Sequence, residues 1–389
     1  MKKGWQVFSL LATVSLFLSA CAALGSSGLI KVGAIGELTG SEAAEGASFK
    51  KAADLAVKKI NDAGSLEVGG KKYKIQLTMV DNGSMVDRSA ALVYKLYEQN
   101  NVVAIIGPNA DRFAIPASET AERIEISLIT PRSTNFNTTL DTLTGQSKKY
   151  VFRACLSDAD QGRLLAKFAL EKLGAKTAAA LYDNKVDYNR VIAESFKQTF
   201  EDSGGRVAAF ETYASGDKTF SDQLTKIKEA SPEVILLPND YSDIPFQVQQ
   251  AHRLGISAAF LGSDSWGEAE LLRRCGTDCE GLYFSTHFSA EKPSPISREF
   301  VAAYTAQYDS PPDETAALTY DAFNLLWRAL QAAGATDRQA IREALAKISQ
   351  FEGVTGSIQF QPGSGDPVKE AVIMQIKNGK FVFFTDANP

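Results

Sequence analysis

Four cysteines and two histidines are the residues of this 389-residue chain best suited to metal binding or covalent chemistry. Cys275 and Cys279 enclose three residues, and no histidine or third cysteine lies near them in the sequence. A structural zinc site needs four such ligands, so we predict a small-loop disulfide here and no metal in the chain. His252 and His287 are the only histidines, which excludes a multi-histidine metal site.

Residues 1–21 have the pattern of an export signal. Lys2 and Lys3 precede an apolar stretch, 7–20, that is too short to span a bilayer comfortably. The run 18–21, Leu-Ser-Ala-Cys, resembles the lipobox of bacterial lipoproteins, whose cysteine is diacylated and becomes the new N-terminus. An ordinary signal peptide that contains a cysteine is the alternative. We therefore expect export and a lipid anchor at Cys21, with 22–28 as a tether, on a membrane surface that faces the periplasm or the cell exterior.

The composition, with 44% hydrophobic residues and a formal charge of −5, is that of a well-buried globular protein. An acidic chain without a basic block offers no footprint for nucleic acid. The sequence contains no Gly-x-Ser-x-Gly elbow, P-loop or Gly-x-Gly-x-x-Gly fingerprint, so we expect neither catalysis nor a cofactor. An exported hydrolase remains an alternative, because one fold can serve many functions.

Apolar strands alternate with amphipathic helices along the body of the chain. The run 102–106 is a continuous apolar strand, whereas 45–63 has the periodicity of an amphipathic helix. This rhythm predicts an α/β fold with parallel sheets covered on both faces, and it starts again near residue 150. We therefore predict two doubly wound lobes, with ligands bound beyond the carboxyl ends of the strands. A hairpin with Asn378 and Gly379 as its turn closes the chain.

A series of short segments extends over most of the chain and carries a resemblance to a known family. From about residue 30 to residue 384, their order and spacing resemble those of the type I periplasmic binding proteins of the branched-chain amino-acid group. These proteins are the substrate-binding subunits of ABC importers. The segments are Gly-Glu-Leu-Thr-Gly at 36–40, 107–118, Thr-Pro-Arg-Ser-Thr-Asn at 130–135, Val-Phe-Arg at 151–153, 158–162, Leu-Tyr-Asp at 181–183, 220–224, Leu-Gly-Ser-Asp at 261–264 and 280–284.

The resemblance implies two lobes joined by three crossings, near 149–152, 286–289 and 354–357. Lobe I would then contain 29–150 and 289–355, and lobe II would contain 151–288 and 356–389. Such lobes close on a ligand by hinge motion, and the transporter recognises the closed shape. The expected partners are ABC permease subunits and a small-molecule ligand, and we expect a monomer.

The resemblance also implies which loops of lobe I face the ligand. In this family an amino acid's carboxylate is held mainly by lobe I, at a helix start that here includes Asp111 and Arg112. The next loop matches at Arg132, Ser133 and Thr134, where turn capping is the alternative for the two hydroxyl residues.

From lobe II, the resemblance offers Tyr188, together with Asp264 to accept hydrogen bonds from a ligand ammonium. Asp240 or Tyr241 would supply a further contact. Trp266 would either stack on the ligand or pack at the edge of the cleft, and Asp264 could instead cap a helix.

Departures from the family pattern bear on the ligand. Neutral amino-acid binders usually have small hydroxyl residues at the positions of Asp111 and Arg112, a small residue at Arg132, and often an aromatic residue at Glu45. An unpaired buried guanidinium is costly, so an arginine here should pair with Asp111 or Glu45, meet an anionic ligand group, or remain solvated. These residues favour a polar or charged ligand over a leucine-like one. A protein that reports ligand binding to a membrane receptor would use the same cleft, and remains an alternative to import.

Overall fold

The computed structural model describes residues 28–292 and 294–389. The predicted signal peptide, the lipobox cysteine Cys21 and the tether up to residue 27 lie outside the described residues. Among the residues that are described, no helix is both long and apolar enough to cross a membrane.

Strands and helices alternate as the sequence predicts. The strands are β1 Gly28–Gly36, β2 Leu66–Val68, β3 Lys71–Asp81, β4 Ala104–Ile106, β5 Ser127–Thr130, β6 Val151–Arg153, β7 Thr177–Asp183, β8 Arg206–Tyr213, β9 Val234–Leu236, β10 Ala259–Gly262, β11 Tyr283–Thr286, β12 Phe351–Gly353, β13 Gly356–Phe360, β14 Pro367–Lys369, β15 Ala371–Lys377 and β16 Lys380–Ala387. The helices are α1 Ala43–Asp62, α2 Val86–Glu98, α3 Asp111–Arg123, α4 Asp158–Glu171, α5 Asp187–Asp202, α6 Ser221–Ala230, α7 Ile244–Arg253, α8 Ala269–Cys275, α9 Pro295–Tyr308, α10 Glu314–Ala333 and α11 Arg338–Leu345.

Lobe I is built on a six-stranded sheet of order β2-β3-β1-β4-β5-β6, parallel except for β2. One face packs against α1 and α10, and the other against α2 and α3. Helix α10 forms because Asp313 caps its start by accepting from the backbone N–H of Ala316 at 2.8 Å, and because Gly334, at φ 60°, ends it. The doubly wound arrangement predicted for this lobe is confirmed.

Lobe II is built on a seven-stranded sheet of order β16-β15-β11-β10-β9-β7-β8. Helices α4 and α5 cover one face, and α6, α7 and α8 cover the other. The predicted terminal hairpin is β15 and β16, and its turn residues Asn378 and Gly379 both have positive φ, at 52° and 67°. Cys275, the last residue of α8, forms a disulfide with Cys279 in the turn that follows, and Cys155 is a buried free thiol.

The chain passes between the lobes at points that differ in part from those expected. Strand β6 pairs with β5, so the first crossing follows residue 153 instead of lying at 149–152. A small sheet, β12-β13-β14, packs into the lobe I core, so 356–369 belongs with lobe I and the third crossing lies between β14 and β15. Two contacts explain this placement: the ring of Phe360 lies 5.2 Å from that of Phe152, and the buried Arg153 pairs with Asp366 at 2.6 Å.

Two buried groups of opposite charge, both hydrogen-bonded to Thr355, fix this small sheet to α10. Asp321 on α10 accepts hydrogen bonds from the backbone N–H groups of Val354 and Thr355, at 2.8 and 2.9 Å. Lys369 on β14 donates to the carbonyl of Thr355 at 3.1 Å. Burial lowers the pKa of Lys369 to about 8, against the opposing effect of the Asp321 charge. Each charge therefore depends on the other in a site from which water is excluded.

We expect Asp321→Ala to destabilise the protein by about 3 kcal/mol, because it leaves Lys369 buried without its counter-charge. Urea unfolding followed by circular dichroism measures the change. The control is Asp54→Ala, which removes an exposed partner of Lys50 on α1 and should cost less than about 1 kcal/mol. Equal losses in the two variants would contradict this role of the buried pair.

Candidate functional site

Loops at the carboxyl ends of β4 and β5 in lobe I meet loops after β9 and β10 in lobe II. Between them lies a cavity of about 400 Å³, the first compartment of the interlobe cleft. This is where parallel sheets place ligands. Its lining residues are Glu42, Glu45, Asn109, Ala110, Asp111, Arg112, Arg132 and Thr134 from lobe I, and Val186, Tyr188, Asn189, Asp240, Asp264 and Ser265 from lobe II.

A second compartment of about 290 Å³ continues the cleft. It shares Glu45, Arg132 and Asp264 with the first compartment. Its other lining residues are Ala44, Ser48, Gly267, Glu268, Asp313, Glu314 and Thr315. A separate cavity of about 470 Å³ lies between α10 and α11, but none of the predicted site residues lines it. The cleft is therefore the candidate site.

The structure brings most of the predicted ligand-facing residues together in the first compartment. Those that line it are Glu45, Asp111, Arg112, Arg132, Thr134, Tyr188, Asp240 and Asp264.

Three residues predicted for the site do not line either compartment. Ser133 is fully buried, and its hydroxyl donates to the Asp111 carboxylate at 2.6 Å, so it positions Asp111. Trp266 is also fully buried: it packs against Gly262, where any Cβ would collide with its ring, and its indole N–H donates to the carbonyl of Asn239 at 3.2 Å. Tyr241 packs against the lobe II core.

Glu37, just after β1, holds the start of the α3 loop. Its carboxylate accepts from the backbone N–H of Asn109 at 3.1 Å and from the side-chain amide nitrogen of Asn109 at 2.9 Å. The side-chain oxygen of Asn109 is buried and has no hydrogen-bond partner. Both residues lie in segments that carry the family resemblance, but nothing in the sequence alone indicated that they contact each other.

The two arginines of the cleft have different partners. Arg132 pairs with Glu45 at 2.8 Å, which is one of the alternatives expected from the sequence. Arg112 instead lies at the exposed rim and pairs with Glu42, a partner that the sequence did not suggest. Burial acts to lower the pKa of Arg132, but the charges of Glu45, Glu314 and Asp264 outweigh it and raise that pKa.

His287 links the two lobes at the second crossing. Its Nε2 accepts from the backbone N–H of Leu156 at 3.0 Å, which leaves the proton on Nδ1. Nδ1 contacts the Glu314 carboxylate of lobe I and lies 3.7 Å from that of Asp264 in lobe II. Sequence reasoning placed His287 near a hinge but missed Glu314, which is distant in the chain and has no local motif.

Asp264 is surrounded by donors on its own lobe. The Tyr188 hydroxyl donates to one carboxylate oxygen, and the Gln161 amide donates to the other at 3.2 Å. Burial and the charge of Glu314 raise the pKa of Asp264, whereas hydrogen bonds from His287 and the charge of Arg132 hold the pKa of Glu314 low despite burial. Asp264, His287 and Glu314 have ligand atoms within 4.8 Å of one another, as a metal site would, but Arg132 already supplies positive charge to both carboxylates.

Asp158, at the start of α4, lies directly behind the cleft. Its backbone N–H donates to the carbonyl of Thr134 at 3.1 Å, and its side chain is 1% exposed. Neither carboxylate oxygen has a hydrogen-bond partner in the structure. Burial, with a contribution from the charge of Asp111, raises the pKa of Asp158 to about 8.

Residues 29–380 match the family described as "Periplasmic binding protein". The chain is 27% identical over 360 residues to a leucine-, isoleucine-, valine-, threonine- and alanine-binding protein of Pseudomonas aeruginosa, covering 92% of this chain and 93% of that protein. The fold is similar to that of a leucine-binding protein, LivK, from Thermotoga maritima, with a TM-score of 0.76 and 31% identity over 92% of this chain and 99% of that one. A similar match, with a TM-score of 0.74 and 32% identity, covers 93% of this chain and all of the Streptococcus pneumoniae protein LivJ, solved with isoleucine.

The raised pKa of Asp158 predicts a pH dependence of stability. Between pH 4 and pH 8 the folded protein retains a proton that the unfolded chain has released, so stability falls as pH rises through this window. Asp158→Asn should remove that slope and be more stable than the parent protein at pH 8, on the order of 2 kcal/mol.

Thermal and urea unfolding between pH 5 and pH 8 measure the effect. The matched control is Asp222→Asn, an exposed acid in the first turn of α6. A parent protein whose stability rises from pH 5 to pH 8, with Asp158→Asn following the same curve, would show that this carboxyl group is ionised in the folded state.

Proposed function

The chain belongs to the periplasmic binding protein family, and from this premise we propose that it is the extracytoplasmic substrate-binding lipoprotein of an ABC importer. It captures an amino acid or a similar small polar molecule in the interlobe cleft, which closes by hinge motion. The relatives named above bind branched-chain and other small amino acids, and they support a ligand of that general size.

The polarity of the first compartment is the observation that carries the proposed ligand class. Ala110 and Val186 are its only aliphatic lining residues in the described structure, and charged or hydrogen-bonding side chains form the rest of the wall. A leucine side chain would leave the charged groups of this wall desolvated without a partner, which is costly. The cleft therefore suits a polar or charged ligand.

Two features of the cleft support ligand recognition by both lobes. The first residues of α3 line the cavity, and its N-cap Ala110 offers no side-chain cap, so backbone N–H groups there remain suited to an anion such as a carboxylate. Across the cleft, Asp264 and Tyr188 of lobe II present a carboxylate and a hydroxyl, which suit an ammonium group. A ligand with both groups would connect the lobes and favour the closed state.

The importer role and the lipid anchor rest on different grounds. Family membership supports a permease partner that recognises the closed lobes. The lipobox at 18–21 supports attachment through Cys21, with the mature protein facing the periplasm or the cell exterior as a monomer.

A calorimetric titration with the proteinogenic amino acids tests the ligand class. We expect a polar or charged amino acid to bind in the micromolar range or tighter, and leucine and isoleucine to bind at least about 100-fold more weakly, a difference of about 2.7 kcal/mol. Tight leucine binding without any response to polar amino acids would contradict the proposed specificity.

Expression of the full-length chain in a bacterium tests the anchor. The parent protein should sediment with membranes, and Cys21→Ser should move it to the soluble fraction because the acylation site is lost. Cys155→Ser, a change to the buried thiol, is the control and should remain with the membranes. Retention of Cys21→Ser in washed membranes would contradict the lipid anchor.

A further inference from the structure

We propose that the cleft selects a small organic cation, a ligand with more positive than negative charges, and that the second compartment holds its cationic end. The inference rests on the proposed function, since it takes the interlobe cleft as the ligand site. A basic amino acid and a diamine or guanidino amine share this chemistry.

The charge of the cleft wall is the first ground for this inference. Eight carboxylate side chains but only two guanidinium groups line the two compartments. Both guanidinium groups already have a carboxylate partner, Glu42 for Arg112 and Glu45 for Arg132. His287 adds no full charge when it accepts the Leu156 N–H through Nε2. The wall therefore retains an excess of six negative charges when its carboxyl groups are ionised.

Two carboxylates of the second compartment, Asp313 and Glu268, have no cationic partner among the described residues. Asp313 accepts from the hydroxyl of Ser48 and the backbone N–H of Ala316. The side chain of Glu268 forms no hydrogen bond or ion pair in the described part of the chain. Burial raises the pKa of Glu268 against the opposing charge of Arg132, and the charges of Glu45, Asp313 and Glu314 add to the effect of burial. A cation placed among these groups would relieve their mutual repulsion.

A buried hydrogen-bond acceptor without a partner beside the cleft supports the inference independently. Asn109, fully buried and lining the first compartment, directs its amide nitrogen at the Glu37 carboxylate, so the free atom must be the acceptor oxygen. The opposite orientation of the Asn109 amide is excluded, because its oxygen would then face the Glu37 carboxylate, which has no proton to donate. Unpartnered acceptors call for a ligand that donates hydrogen bonds, as ammonium and guanidinium groups do.

The two compartments suggest how such a ligand would lie. A basic amino acid would place its carboxylate at the start of α3 in the first compartment and extend its side-chain cation past Arg132 into the second. A diamine lacks the carboxylate and would use the acidic groups alone. The excess negative charge would also attract a cation before contact, so association should slow as salt increases.

Calorimetry with the full-length lipidated protein in detergent tests the inference. The probes are L-arginine, L-lysine, agmatine and cadaverine, with L-norleucine, Nε-acetyl-L-lysine and L-glutamate as matched ligands that lack the excess positive charge. At least one cationic probe should bind about 100-fold more tightly than norleucine, and its affinity should fall several-fold between about 50 and 300 mM salt. Tighter binding of arginine or lysine would indicate a basic amino acid as the ligand. Tighter binding of agmatine or cadaverine would indicate an amine without a carboxylate.

Glu268→Gln should weaken binding of the best cationic probe about tenfold, because it removes a carboxylate from the second compartment. Glu270→Gln, two residues further along and paired with Arg273 outside the cleft, is the matched control and should leave the affinity unchanged. Equal affinities in the parent protein and Glu268→Gln would overturn the placement in the second compartment.

The outcomes separate the two proposals. Binding of leucine, norleucine or glutamate in preference to every cationic probe overturns the cationic specificity and leaves the role in ligand capture intact. Failure of all proteinogenic amino acids and all of these amines to bind overturns ligand capture of this class itself.

Discussion

Arg132 is the guanidinium group around which the charges of the cleft are organised. It pairs with Glu45 at 2.8 Å, and the carboxylates of Glu314 and Asp264 stabilise its charge against the cost of partial burial. Without this group, the three carboxylates would repel one another in a site of low solvent access. Because Asp264 belongs to lobe II and the others to lobe I, the interaction also acts between the lobes.

The segments that cross between the lobes couple these charges to the relative position of the lobes. The first and second crossings contact each other where Leu156 donates to His287, and His287 in turn contacts Glu314 of lobe I. Any rotation of one lobe against the other must therefore change the surroundings of Asp264 and Glu314. A ligand that interacts with those carboxylates only in the closed state would shift the equilibrium toward closure.

The sequence predicts the fold and much of the cleft because the relevant signals are local. The strands, the helices and the terminal hairpin follow from apolar runs of β-branched residues, from amphipathic periodicity and from the turn at Asn378 and Gly379. Thr134 and Asp264 are predicted as site residues because they follow the ends of strands. The role of Glu314 depends on contacts with residues distant in the chain, so no spacing could indicate it. The small sheet that contains Phe360 was missed for the same reason, since its lobe is decided by packing on Phe152 and by the Arg153–Asp366 pair.

The central claim is that the interlobe cleft holds a small polar ligand of cationic character. Native mass spectrometry of the protein, purified without added ligand from the cells that express it, tests this claim without any choice of probe. We predict a one-to-one non-covalent adduct, and tandem fragmentation should identify a basic amino acid or a small amine. An adduct of leucine or isoleucine, or an anionic ligand, would contradict the account.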